Sequence, residues 1–135
     1  MQKSLMVNIM QENIYDKKQG FNITLLESGT KIIVETINSV YEFVVIEGRE
    51  VTIMGGINSK GKIRYKKPIP AILIGSTCDD CFIKQDWIGN NMSIQCSLQE
   101  KGSTKLISTS VVRNAKIVAP NLEWSYSMDW NEIVC

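Results

Sequence analysis

Four cysteines and no histidine set the first limits on the chemistry open to this chain. Without an imidazole, a Ser–His or Cys–His nucleophile pair is excluded, and the usual proton carrier near neutral pH is missing. Cys78 and Cys81 stand in a CDDC run with the spacing of a zinc knuckle. A structural zinc normally needs a second close pair or histidines, whereas Cys96 and Cys135 lie far apart. Asp79 and Asp80, between the first two thiols, also oppose thiolate formation. The cysteines therefore read as reduced thiols, with no metal and no cofactor expected. Asp79, Asp80 and Asp86 fall within one short segment and read as a solvated loop rather than an acid–base pair. GGINSKGK (55–62) contains glycine, serine and lysine but lacks P-loop spacing, so catalysis is not expected.

Binding chemistry is better represented. SKGKIRYKKP (59–68) places Lys60, Lys62, Arg64 and Lys66 at alternate positions, and a strand would turn all four to one face. The plainer use of such a strip is to keep a sheet edge from pairing with another chain. The functional use is to attract an anion such as a pyrophosphate. Three further segments, GST (75–77), KQDWIGNN (84–91) and STSVVRN (108–114), combine groups that recognise nucleotides. Trp87 offers a flat π surface to a base, and Asn90 and Asn91 present donor and acceptor together. Arg113 can grip a phosphate with two N–H groups or stack on a ring. Thr77, Thr109 and Ser110 supply short hydroxyls. Each residue also has a structural reading: a core Trp, an Asn-Asn turn, a surface Arg. It is the combination that points to a ligand.

These side chains need a scaffold, and its elements read in turn along the chain. Residues 4–17 carry Met6, Met10 and Ile14 at helical spacing, broadened by Leu5 and Ile9, with Ser4 as N-cap and Gly20 as stop. Such an amphipathic helix packs on its own sheet or on another subunit. From Gly20 the pattern becomes short β runs: 22–27, 31–38, 40–46, 51–54, 70–75, 82–87, 92–98, 105–112 and 114–119. The expected fold is mainly β, a small antiparallel sandwich or barrel-like sheet with one N-terminal amphipathic helix. It forms a single domain, 1–135: helix 1–18, β domain 20–119, and an aromatic tail 120–135 whose Trp124, Tyr126 and Trp130 cover an open edge or a neighbouring subunit.

Composition sets the class of partner. With 44% hydrophobic and 21% charged residues, the chain resembles ordinary globular proteins. The net charge is +1, yet residues 60–67 hold five positive charges and no negative one, so the remainder is net negative. Concentrated charge on a near-neutral protein suits a small anion better than a long polyanion. No stretch approaches the roughly 18 apolar residues that span a bilayer, and the N-terminus has no signal-peptide apolar region, so no membrane is expected and the location reads as cytoplasmic.

ETINSVYEFVV (35–45), the glycine pair 55–56, IGST (74–77), IKQDWIGNNMSI (83–94) and STSVVRNA (108–115) together resemble a small bacterial and phage β-protein family. The phage members are the anti-Thoeris sponge proteins, and the resemblance covers residues 30–116. It implies a β-rich homo-oligomer in the host cytoplasm that sequesters a cyclic ADP-ribose immune signal without destroying it. It also implies an aromatic contact at Phe82 or Trp87, asparagine contacts at Asn90 or Asn91, and an arginine contact at Arg113, with Arg64 as a second cation. The basic run 60–67 and the CDDC loop lie outside the shared pattern. Two other classes stay open on the residues: a single-stranded nucleic-acid-binding small β-barrel, and a structural or adaptor protein without ligand.

Overall fold

The computed structural model describes residues 15–16, 20–78, 83–120 and 125–129. In chain order the strands are β1 (Tyr15–Asp16), β2 (Gly20–Asn22), β3 (Lys31–Thr36), β4 (Val40–Glu47), β5 (Glu50–Ile57), β6 (Ile63–Thr77), β7 (Ile83–Gln85), β8 (Trp87–Gly89), β9 (Ser93–Glu100), β10 (Ser103–Val118) and β11 (Ser125–Asp129). Strict alternation of apolar residues gives each central strand one buried face. Ile32 and Val34 of β3, Tyr41, Phe43 and Val45 of β4, Val51 and Ile53 of β5, and Ile94, Cys96 and Leu98 of β9 all point into one core.

The pairings close on themselves. β3 pairs with β4, β4 with β5, β5 with β6, β6 with β9, β9 with β10, and β10 returns to β3, every pair antiparallel. Closure removes most free edges from the sheet and makes its inner face a barrel core. Two long strands make it possible. β6 pairs with β5 over residues 63–72 and with β9 over 71–77. β10 pairs with β9 over 103–111 and with β3 over 112–118. Strands that serve two neighbours must bend, and both do so at bulges. In β6 the register jumps between the pairs Ile53–Ile69 and Gly55–Tyr65. In β10 it jumps between Ser108 and Val111, and again between Val112 and Asn114. Beyond the circuit, β7 adds to β6 and β11 adds to β10.

A second small sheet, β1–β2–β8, contributes Phe21 and Ile88 to the core, and the turn after β2 contributes Ile23. Residues 22–27 do not form the strand expected from their composition. Ile23–Leu25 is a 3-10 turn, because Asn22 Oδ1 accepts from Thr24 N at 2.9 Å and from the Thr24 hydroxyl at 2.7 Å and so caps it. The expected strand 82–87 is likewise broken at Asp86, whose φ of +62° ends β7 and starts β8. Asp86 holds that corner from three sides. Its N–H donates to Ile74 O at 2.9 Å, its carbonyl accepts from Ile23 N at 2.8 Å, and its carboxylate pairs with Arg49 at 2.9 Å. Of the expected N-terminal helix, residues 15 and 16 are strand, paired with Phe21 and Gly20. The rest of that segment lies outside the described residues, as do Asp79, Asp80, Cys81 and Cys135. Among the described residues no helix is long and apolar enough to cross a membrane.

The bulge in β10 leaves backbone groups that side-chain hydroxyls satisfy. Thr109 Oγ1 accepts from Ile94 N at 3.0 Å and donates to Ser110 O at 2.7 Å. Ser110 Oγ donates to Thr36 Oγ1 at 2.8 Å and accepts from Asn38 N at 3.2 Å. Thr36 Oγ1 donates to Ser39 O at 3.1 Å and accepts from Ser39 N at 3.0 Å, while Ser39 Oγ accepts from Ile57 N at 2.9 Å. One chain of hydroxyls thus joins β9, β10, the β3–β4 hairpin and β5. Thr36 is its centre, with three hydrogen bonds on one buried oxygen. Replacing Thr36 by valine keeps the shape but strands the Ser39 N–H and the Ser110 hydroxyl. Urea denaturation is expected to show a loss of about 1–3 kcal/mol, the cost of leaving buried polar groups unpaired.

Burial pushes the Cys96 thiol from its ordinary 9.0 up to about 12. The neutral thiol is therefore favoured by folding. Its contribution is complete below about pH 9 and is lost between about 9 and about 12, where the unfolded chain ionises first. Stability measured by urea at about pH 8 and about pH 10.5 should fall, and Cys96→Val should reduce that fall.

Candidate ligand pocket

The glycine pair 55–56 shapes the outer surface of the barrel. Gly55 and Gly56 have φ of +100° and +77°, a region that L side chains rarely occupy. A Cβ at Gly55 would lie 2.5 Å from Val40 O, and one at Gly56 would lie 2.6 Å from Tyr41 Cε1. The missing side chains let Val40 O and the Tyr41 ring come close against β5, and a hollow lies beside this stretch, with Gly55 in its lining. It is a pocket of about 330 Å³ lined by residues of four adjacent strands, β3 to β6. Ile33, Val40, Met54 and Ile63 form apolar walls, with the backs of Tyr41 and Tyr65 toward the core. Two charged residues join them, Glu42 from β4 and Lys66 from β6. Glu42 makes a loose pair with Lys31 at 3.9 Å, both partly exposed, a contact worth little in water. The Tyr65 phenol is raised above its usual range, chiefly by burial and against the pull of Arg64. The Arg64 guanidinium carbon lies 5.8 Å from the centre of the Tyr65 ring.

The basic strip takes a different form from an uninterrupted strand. Asn58 closes a turn, with Oδ1 accepting from Lys60 N at 2.9 Å and from Lys62 N at 3.1 Å, so Lys60 and Lys62 sit on the hairpin tip. Only from Ile63 does the strand begin, and it is bulged again opposite Met54. Four cations on one strand face is therefore corrected: Lys60 and Lys62 sit at the turn, and of Arg64 and Lys66 on the strand it is Lys66, at the bulge, that lines the pocket. Residues 63–70 pair with β5 on one side, and β9 joins the other side only from Ala71. Pro68 and Pro70 fall in this half-paired stretch, where a missing N–H is tolerated. The half-paired edge and the pocket-lining Lys66 thus belong to one segment.

The other residues marked by sequence gather elsewhere. Thr77 pairs with Ser93, and Ser93 with Val111, which brings the end of β6, the start of β9 and the β10 bulge side by side. Thr77 is buried there and its hydroxyl pairs with no described residue. Thr109 is also buried, and its hydroxyl is committed to the chain described above. Asn90 is half-buried in the turn after β8. Asn91 has φ of +60°, as asparagine tolerates, and its N–H donates to Val112 O at 3.0 Å. Trp87 joins this end because the Ser76 hydroxyl donates to its carbonyl. Its indole Nε1 would be only 2.9 Å and 2.8 Å from a Cβ at Gly20 and at Gly89, so the ring lies close against that backbone. Lys84 Nζ sits 3.7 Å from the ring centre, a cation–π contact that a stacking base would have to displace. Arg113 is exposed at the second β10 bulge, next to Val112. Phe82 lies outside the described residues. The structure thus assembles Thr77, Trp87, Asn90, Asn91 and Thr109 at one end of the barrel. It sets Arg64 apart from them, beside the pocket.

Sequence reasoning passed over the pocket walls. The available signal was Ile33, Val40 and Met54, apolar residues at outward positions of strands whose inward positions are already apolar. Gly56→Ala is expected to lose about 1–3 kcal/mol in denaturant unfolding, since it adds a clash with Tyr41 to backbone strain. Gly61→Ala, at φ +77° with open space around it, carries the strain alone and should lose less. Compared with family models, curated proteins and solved structures, the chain matches none.

Proposed function

We propose that this protein binds a small nucleotide-derived anion in the β3–β6 pocket and holds it without chemical change. The observation that carries this reading is the juxtaposition of an apolar pocket with the cationic segment of β6, where Lys66 lines the wall and Arg64 lies two residues away. Small-molecule sites are mostly apolar concavities of about 300–1,000 Å³ with a few placed polar groups. This pocket is at the lower end of that range. Its size suits a base or nucleoside portion inside, with phosphate outside against Lys66 and Arg64. Holding rather than converting fits the lining, in which Glu42 is the one carboxylate among the described residues, and the chain has no histidine. The resemblance to sponge proteins makes a cyclic ADP-ribose isomer the ligand of choice. On this reading the protein counters immune signalling by keeping the free signal scarce.

Sequestration demands tight binding, and a Kd near nanomolar corresponds to about −12 kcal/mol. Apolar burial and charge-assisted phosphate contacts must both contribute to reach it. Incubation with cyclic ADP-ribose followed by heating should release the molecule intact by mass spectrometry. Recovery of hydrolysed product would make the protein an enzyme instead. A double substitution, Arg64→Ala with Lys66→Ala, should weaken binding by about tenfold or more, the scale of one lost charge-assisted contact. Affinity should change modestly with salt, unlike the steep dependence of polynucleotide binding.

A further inference from the structure

We infer that Glu42 reads an amino group on the bound ligand, so that the pocket selects a nucleotide with an amino-bearing base over one with an oxo base. This rests on the nucleotide reading given above. Glu42 pairs across the sheet with Ile33 on one side and with Met54 on the other, and both of these line the pocket. Its carboxylate thus stands within the apolar wall. Its pair with Lys31 is long, at 3.9 Å, and about a third of the side chain is exposed. Lys66 stands on the opposite wall, with β5 between the two strands.

The pocket is therefore asymmetric, with an acceptor-only group on β4 and a donor-only group on β6. Strands lie about 4.8 Å apart, so the two walls are separated by roughly 10 Å. An adenine mononucleotide has matching polarity at a comparable span: an exocyclic amine that donates at one end and a phosphate that accepts at the other. Hypoxanthine replaces the amine by a carbonyl oxygen, which would face the carboxylate with two acceptors opposed. A site that hydrogen-bonds a donor rejects the analogue lacking it, because its own polar group is left unpaired. Glutamine at this position carries an amide that can donate to the carbonyl, so the preference should narrow or reverse.

The test is calorimetric titration of the full chain with adenosine 5′-monophosphate and inosine 5′-monophosphate, with thermal melts to check folding. The unaltered protein should bind the adenosine nucleotide about tenfold tighter, the scale of one unmatched polar contact. Glu42→Gln should bring the ratio to about one or below it. Lys66→Gln should weaken both nucleotides by a similar factor and preserve the ratio. Lys31→Met should also preserve it, which separates recognition by Glu42 from loss of the Lys31 pair. Equal affinities in the unaltered protein, or a ratio that survives Glu42→Gln, would overturn the assignment of Glu42 while leaving nucleotide binding intact. A ratio lost equally in Lys31→Met would overturn it too. Binding of neither mononucleotide would overturn this inference, and the reading beneath it falls with it only if cyclic ADP-ribose, titrated alongside, also fails to bind.

Discussion

Two strands that must each serve two neighbours impose the constraint from which the rest of this structure follows. β6 and β10 close the sheet only because each crosses from one partner to the next partway along its length. A regular strand cannot do this without bending, and bending takes backbone groups out of register. The chain resolves the conflict differently in the two strands. In β10 the bulge falls in a run of Ser and Thr, whose hydroxyls meet the displaced backbone groups. In β6 it falls opposite Met54, just before Gly55 and Gly56, whose missing side chains let Val40 O and the Tyr41 ring approach the backbone.

The two solutions have different consequences for function. Hydroxyls that replace backbone partners are spent on the fold, which is why the serine- and threonine-rich stretch 108–110 is stitched to the β3–β4 hairpin. The glycines instead let Val40 O and the Tyr41 ring pack close against β5, and the pocket lies beside them, lined in part by Gly55 and Tyr41. Its walls come mostly from outward positions of strands whose inward positions form the core, with Tyr41 and Tyr65 shared between the two. Lys66, in the β6 bulge, lines this space, and Arg64 lies two residues before it. A concave apolar surface beside positive charge is what the proposed reading as an anion site rests on.

The β character of the chain was legible because Val, Ile and Thr alternate through KIIVET, VYEFVV and MSIQCSL, and those strands stand where the pattern puts them. Residues 105–112 and 114–119 were read as two strands and form one, since a bulge resembles a break when only periodicity is visible. Asn22 could not be known as a cap before the neighbouring Thr24 was placed. The nucleotide-like residues Thr77, Trp87, Asn91 and Thr109 do converge, but their convergence came from strand pairing that no local pattern encodes. The pocket was illegible for the same reason. Ile33, Met54 and Ile63 become neighbours only once β3, β4, β5 and β6 lie side by side. Gly55 and Gly56 were visible as a break in the pattern, but the groups they admit, Val40 O and the Tyr41 ring, lie across the sheet.

The most direct measurement is a methyl-labelled NMR titration with cyclic ADP-ribose. The expected result is that the methyl signals of Ile33, Val40, Met54 and Ile63 shift together and saturate at one equivalent per pocket, while those of Ile94 and Ile117 in the core stay in place. Saturable shifts confined to the Trp87 indole and the methyls of Thr77 and Thr109, with the pocket methyls unmoved, would contradict the assignment of the ligand to this side of the barrel.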